Sequence, residues 1–199
     1  ENLTILRRLI SYAEKIFSLS HDLIAPVSDA RVAPRIATAV VVKSALALFW
    51  TRMGSLNAWS LLRGAPFWKH WLQAPVCSPD SMGRIYALLN ADDLRLALHQ
   101  LYDRLKRNKA LPDIQGLGVV VLDGHESHAS YLRCCPGCLQ RTIHFKTGDR
   151  IQYYHRQVTL MLLPGSRPGH PPIRLLLDHE PQRPNEGEVE TAIRLLTRV

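Results

Sequence analysis

The spacing of apolar residues changes once along this chain, at Pro112, and that change rules out a fold built from one kind of element. Before it, apolar residues recur at helical intervals, as in Leu3, Leu6, Leu9, Ile10, Ala13, Ile16 and Phe17. After it, the run from Gly116 to Leu122 is continuously apolar and β-branched and reads as a buried central strand that stops at Asp123-Gly124. Residues 1–111 are therefore expected to form an all-α helical region. Residues 116–199 are expected to open a mixed α/β domain, giving an α+β chain.

Within the helical region, Pro26 and Pro34 bracket a loop. Pro34 suits the first turn of a second helix reaching about Trp50. A short helix is expected over Ser55 to Arg63. The run Phe67-Trp68-Lys69-His70-Trp71 reads as core with a solvated edge, or as a base-stacking surface. Ser78 caps a helix that begins at Pro79 and reaches about Leu89. Asn90 or Asp92 caps a longer one, from about Asp93 to Lys109, whose apolar face is Leu94, Leu98, Leu101, Tyr102 and Leu105.

Beyond Pro112, strands are expected over Thr142–Lys146 and Ile151–Leu163, with Gly148-Asp149 as the hairpin turn. Pro164 to Pro172 reads as a loop and Ile173 to Leu177 as a strand ending at Asp178. A last helix starts near Glu186, with Asn185 as its N-cap and Glu188 completing a capping box.

Charge points to a polyanion. The formal net charge is +8, with 15 Lys+Arg against 9 Asp+Glu in residues 1–115 and 10 against 8 in residues 116–199. A basic surface attracts nucleic acid by steering and counterion release. Lys106, Arg107 and Lys109, at the end of the long helix, are the candidate DNA-phosphate contacts, although positive charge there also complements the helix dipole. The longest apolar stretch, Ile36 to Trp50, is too short to cross a membrane and contains Lys43. The start is polar and charged, unlike a signal peptide, and the first residue is Glu1. Both termini read as cut. Three of the four cysteines fall within five residues, a poor layout for a secreted disulfide framework, so a cytoplasmic location is expected.

Two groups of residues have the types that chemistry needs. Asp123 is an acid at the expected end of a buried strand, where converging carboxylates hold divalent metals for in-line displacement at phosphate. Asp-Gly is also a common turn pair. Glu126 follows closely as a supporting group, and Asp178, Glu180, Glu186, Glu188 and Glu190 are surface or helix-start acids first. Cys135 and Cys138 form a Cys-x-x-Cys with Pro-Gly inside, which suits two thiolates on one zinc. No second such pair exists, so His128, His144 or His155 must complete the set, and His155 is the expected third ligand. No Gly-rich phosphate loop is present. His125-Glu126-Ser127-His128 has its second histidine one position too close for a zinc-protease helix, and Ser127 lacks a glycine-flanked elbow.

Taken in order, Asp123 with Gly124 and Glu126, Cys135-x-x-Cys138, Arg141, Tyr153-Tyr154-His155-Arg156, Asp178-x-Glu180, and Glu186-Gly187-Glu188 leading to Arg194-Leu195-Leu196 resemble insertion-sequence transposases of the DDE class. Ser78-Pro79-Asp80-Ser81 and the stretch from Arg104 to Lys109 resemble the region preceding their catalytic domain. The resemblance implies a ribonuclease-H-like domain, incomplete here, with three acids. Asp123 matches the first, the other two are expected beyond Val199, and neither Asp178 nor Glu190 is assigned to them. It further implies Mg²⁺ or Mn²⁺, with Asp123 as a ligand, and transposon-end and target DNA as partners. It implies a homo-oligomer on DNA, a bacterial, nucleoid-associated setting, and no activity from these residues alone. Two other readings stay open: a non-enzymatic basic DNA-binding protein with structural zinc, and another metal-dependent nuclease of the same fold.

Overall fold

Helices come first and strands second. The computed structural model describes residues 2–62, 64–112, 117–165, 169 and 173–199, so Arg63, Gly116 and much of the expected loop from Pro164 to Pro172 lie outside the described residues. The chain divides into two compact units, Glu1–Arg104 and Leu105–Val199, with the division falling inside the sixth α-helix.

The helical unit begins with α1 (Asn2–Phe17), followed by a π-helical turn at Leu19–Ile24. Next come α2 (Thr38–Trp50), α3 (Leu56–Leu62) and α4 (Pro66–Leu72). Then follow α5 (Pro79–Tyr86) and α6 (Ala91–Arg107). Its main core gathers Leu6 and Ile10 of α1, Val41 and Ala47 of α2, Trp59 of α3, Trp68 of α4 and Met82 of α5. A second cluster holds Ala13, Leu19, Leu23, Ile24, Val27 and Val42, and Ala97 and Leu101 of α6 pack against it.

Local chemistry explains the boundaries. Ser78 caps α5 as expected, its Oγ accepting the Ser81 N–H at 3.2 Å. Asn90 Oδ1 accepts the Asp92 N–H at 3.0 Å, so α6 starts two residues before Asp93. α2 starts at Thr38 rather than Pro34. Asp29 accepts from Thr38 Oγ1 at 2.7 Å and from Arg31 Nε at 2.9 Å, and Arg31 Nη2 reaches the Ile36 carbonyl at 3.0 Å, which holds the connection in a non-helical path. The Phe67–Trp71 run forms a helix of its own, with Phe67, Trp68 and Trp71 buried. Those rings are core, not a stacking surface.

The second unit is a four-stranded antiparallel sheet with one helix: β1 (Val119–Ser130), β2 (Leu139–Phe145), β3 (Gly148–Leu163), β4 (Leu175–Pro181) and α7 (Glu188–Arg198). β3 is the central strand. β1 pairs along one of its edges, from Val119↔Leu163 to Ser130↔Tyr153. β2 and β4 share the other edge, β2 from Leu139↔Tyr154 to Phe145↔Gly148 and β4 from Gln157↔Pro181 to Leu162↔Leu175. The hairpin turn is Lys146-Thr147, not Gly148-Asp149. Gly148 opens β3 at φ 116°, a conformation that favours glycine.

The helix α7 covers one sheet face. Val158 and Leu160 of β3 pack against Ala192 and Leu195, with Val158 and Leu195 fully buried. α7 begins at Glu188, two residues later than expected, because the N-cap is Gly187 and its N–H donates to Glu190 Oε2 at 2.6 Å. Asn185 stands outside the helix at φ 65°.

Two expectations about strands fail. β1 is not a buried central strand; it is the outer strand of the sheet among the described residues, and Val119, Val120, Val121 and Leu122 are all exposed. Nor does it stop at Asp123-Gly124, since Gly124 takes no left-handed φ and the strand continues to Ser130. An apolar, unpaired edge is a template for further strand pairing. Val121→Lys is therefore expected to lower self-association of the chain, read as a smaller concentration-dependent mass in light scattering.

Candidate metal centre and neighbouring acids

The register decides which residues can act together, because paired residues on neighbouring antiparallel strands share a face. Gly124, Glu126, Arg156, Val158 and Asp178 lie on the face covered by α7. Asp123 pairs with Thr159 and points to the opposite face, together with His125, opposite Gln157. Asp123 is exposed, and its backbone carbonyl accepts from Thr159 Oγ1 at 3.3 Å. It therefore stands exposed mid-strand, on the face opposite α7, instead of at a strand-end mouth.

The other acids are committed elsewhere. Glu126 forms a bidentate pair with Arg141, at 2.8 and 2.9 Å, on the face opposite Asp123, so it does not support that carboxylate. The Arg141 guanidinium lies 4.6 Å over the Tyr154 ring and donates to Gln152 Oε1 at 2.7 Å. Glu188 pairs with Arg156 at 3.3 Å, and its carboxylate lies where a Cβ on Gly124 would sit, at 2.4–2.6 Å. Gly124 thus leaves room for the end of the Glu188 side chain and makes no turn.

Asp178 and Glu180 are not surface acids at a strand end. β4 runs through both, and both are buried. Arg198 Nε donates to Asp178 at 3.0 Å and also bonds Glu180, while Arg194 Nε donates to Glu180 at 2.9 Å and also bonds Glu186. Burial pushes the Glu180 carboxyl up, but the Arg198 and Arg194 guanidiniums outweigh it and hold it below the ordinary carboxylate range. This network fastens α7 to β4. It is structural chemistry that the sequence pattern alone did not distinguish from Asp123.

The cysteine cluster lies where the chain crosses from β1 to β2. Cys135, Cys138 and His155 form the metal-suited trio found among the described residues, with ligand atoms all within 4.8 Å of one another. Each sulfur is 3.4 Å from His155 Nε2, and the two sulfurs are 3.5 Å apart. Tetrahedral zinc with Zn–S of about 2.3 Å and Zn–N of about 2.0–2.1 Å sets S···S near ~3.8 Å and S···N near ~3.6 Å, so the three atoms need move only tenths of an ångström. The turn holds the two cysteines together: Cys138 Sγ accepts the Cys135 N–H at 3.1 Å, and the Cys138 N–H donates to the Cys135 carbonyl at 3.0 Å. Cys134 is exposed, its sulfur 3.5 Å from the Cys135 carbonyl oxygen. His144 bonds Asp149 at 2.8 Å at the far end of the hairpin, which removes it from the site.

α6 ends at Arg107, two residues short of the expected Lys109, and Lys106, Arg107 and Lys109 are all exposed. The helical unit also has a cleft of about 760 Å³ lined by Arg7, Lys43, His70, Phe67 and Trp71. Arg7 lies 5.7 Å over the Phe67 ring and Lys43 5.9 Å over that of Trp71. Sequence reasoning found the aromatic run but missed these two cations, which come from α1 and α2 and carry no local signal. Among the described residues, no helix is long and apolar enough to cross a membrane.

No protein-family model matches the chain, and no characterised protein or solved structure is significantly similar to it.

Proposed function

We propose that this chain is part of a DNA transposase of the DDE class, in which Asp123 is one of the carboxylates that bind Mg²⁺ or Mn²⁺ for phosphoryl transfer. The observation that carries the reading is the placement of Asp123. It stands exposed mid-strand on the strand that is outermost among the described residues, on the face opposite α7. Long antiparallel strands with a helix on one face and an exposed acid on the first strand are compatible with the opening of a ribonuclease-H-like domain. The basic helical unit suits transposon-end and target DNA, and the protein acts on them as a homo-oligomer.

The metals would polarise the phosphate and activate first water and then a 3′-hydroxyl. This chain's own residues contribute one carboxylate to that set, and the buried Asp178 and Glu180 are spoken for by arginines. Residues 1–199 alone are therefore expected to bind DNA without cutting it. The test uses the gene with its surrounding DNA on a donor plasmid in a recombination-deficient bacterium. The expected result is movement to a recipient replicon with new junctions at fixed ends. DNA binding without such junctions would overturn the transposase reading.

That outcome would favour a second reading, a non-enzymatic DNA-binding protein with structural zinc. The trio Cys135, Cys138 and His155 supports zinc under either reading, since two thiolates and an imidazole at these separations suit that metal. For DNA binding we assign Lys106, Arg107 and Lys109. Neutralising all three is expected to reduce the slope of log K against log salt by up to about 2.7, at about 0.9 for each phosphate that is no longer neutralised. An unchanged slope, measured by fluorescence anisotropy, would remove them from the interface.

A further inference from the structure

We infer that His128 is the fourth ligand of a closed Cys₂His₂ zinc site, formed with Cys135, Cys138 and His155, which staples the β1–β2 crossing to β3. The inference rests on the zinc reading of the trio and is independent of transposase activity.

The carrying observation is a β-bulge. From Val119↔Leu163 to Glu126↔Arg156 the pairing of β1 with β3 is regular, and continuing it would place Ser127 opposite His155. The register shifts between Glu126 and His128, so His128 becomes the partner of His155 instead. Bulges of this kind re-aim side chains. Here the shift puts two imidazoles directly opposite each other on one sheet face, with Cβ atoms about 4.5–5.5 Å apart. The crossing from Ser130 to Leu139 passes over β3 on that same face, because both Cys135 and Cys138 meet the His155 ring. His128 is exposed and its ring stands outside the 4.8 Å group formed by the trio, so the proposal requires its side chain to turn toward the open side of that group.

The competing donors are less well placed. His144 is held at the far end of the hairpin by Asp149. Cys134 immediately precedes a ligand, and its thiol sits by the Cys135 carbonyl. His125 is opposite Gln157, two residues further along β3 than His155. A closed four-ligand set is what structural zinc takes, whereas an open position would admit water. The device also makes sense mechanically: the crossing carries exposed Tyr131 and Leu132, and a metal clip fixes it where apolar packing is thin.

The test is cobalt substitution in the full chain after chelation of resident metal. The wild-type chain is expected to take one equivalent, with sulfur-to-cobalt charge transfer and the intense visible absorption of tetrahedral cobalt. His128→Ala is expected to keep the charge transfer from both thiolates, to lose much of the visible intensity as water enters, and to weaken zinc binding at least about 100-fold. Cys134→Ser and His125→Ala are expected to match the wild type. Should His128→Ala prove too unstable to titrate, His128→Cys is expected to restore tetrahedral absorption with added charge transfer. Wild-type spectra and affinity in His128→Ala would overturn His128 as a ligand while leaving a three-ligand zinc site standing. A wild-type chain that takes no metal would overturn both.

Discussion

Replacing Arg198 with methionine is expected to destabilise the sheet unit by about 3 kcal/mol, the lower end of the cost of breaking a buried ion pair from one side. Methionine keeps the bulk of the side chain and removes only the guanidinium. What remains is Asp178, with a fully buried side chain, and Glu180, nearly so, both built to face a cation. Arg194 still serves Glu180, whereas Asp178 is deprived of the guanidinium that Arg198 Nε brings to it. The lower end is appropriate because the Arg198 side chain is 34% exposed, so water can enter and share the cost. The effect should depend on pH in a definite direction. The folded-state Glu180 carboxyl lies below its ordinary range, so its contribution is present at neutral pH and is lost as pH falls through the folded value. The gap between wild type and Arg198→Met is therefore expected to be widest near neutral pH and to narrow in acid. Thermal melts at several pH values, with hydrogen exchange on α7, would measure it. A gap that stays constant into acid would mean that Arg198 acts by packing alone.

That network shows where the sequence could be read and where it could not. The α5 start was legible because Ser78-Pro79 satisfies its own backbone locally, and α1 because its apolar spacing is regular over sixteen residues. The metal-suited trio was legible in its members, Cys135 and Cys138 being close in the chain and His155 the expected third ligand, but what brings His155 to them instead of His144 is strand register, a property of the pairing. The extent of β1 was misread because a continuous β-branched run looks the same whether both sides of the strand are paired or one is. Asp123-Gly124 looked like a stop because Asp-Gly commonly turns. Here the glycine admits the Glu188 carboxylate, a residue more than sixty positions away. Helix-first order and a mixed α/β composition came from periodicity alone and match the structure, whereas the ribonuclease-H-like identity rests on the proposal above.

Asp123 and Asp178 each follow an apolar run, and nothing local separates them, yet their asparagine variants are expected to fail in opposite ways. Asp123→Asn changes an exposed side chain on the face opposite α7, so the melting transition should hold to within about 0.5 kcal/mol. If the carboxylate binds catalytic metal, transposition from the donor plasmid should nevertheless fall by roughly 10³-fold or more, because an amide donates no charge to the metal at the moment when phosphate charge develops. Asp178→Asn should do the reverse: it leaves Arg198 short of a buried anion, lowers the melting temperature, and reduces transposition only as far as folded protein is lost. Measuring both quantities in both variants separates chemistry from architecture. Transposition that survives Asp123→Asn would remove this residue from the catalytic set, whatever the fold. A loss of activity that tracks stability equally in both variants would mean that Asp123, like Asp178, is there to hold the sheet together.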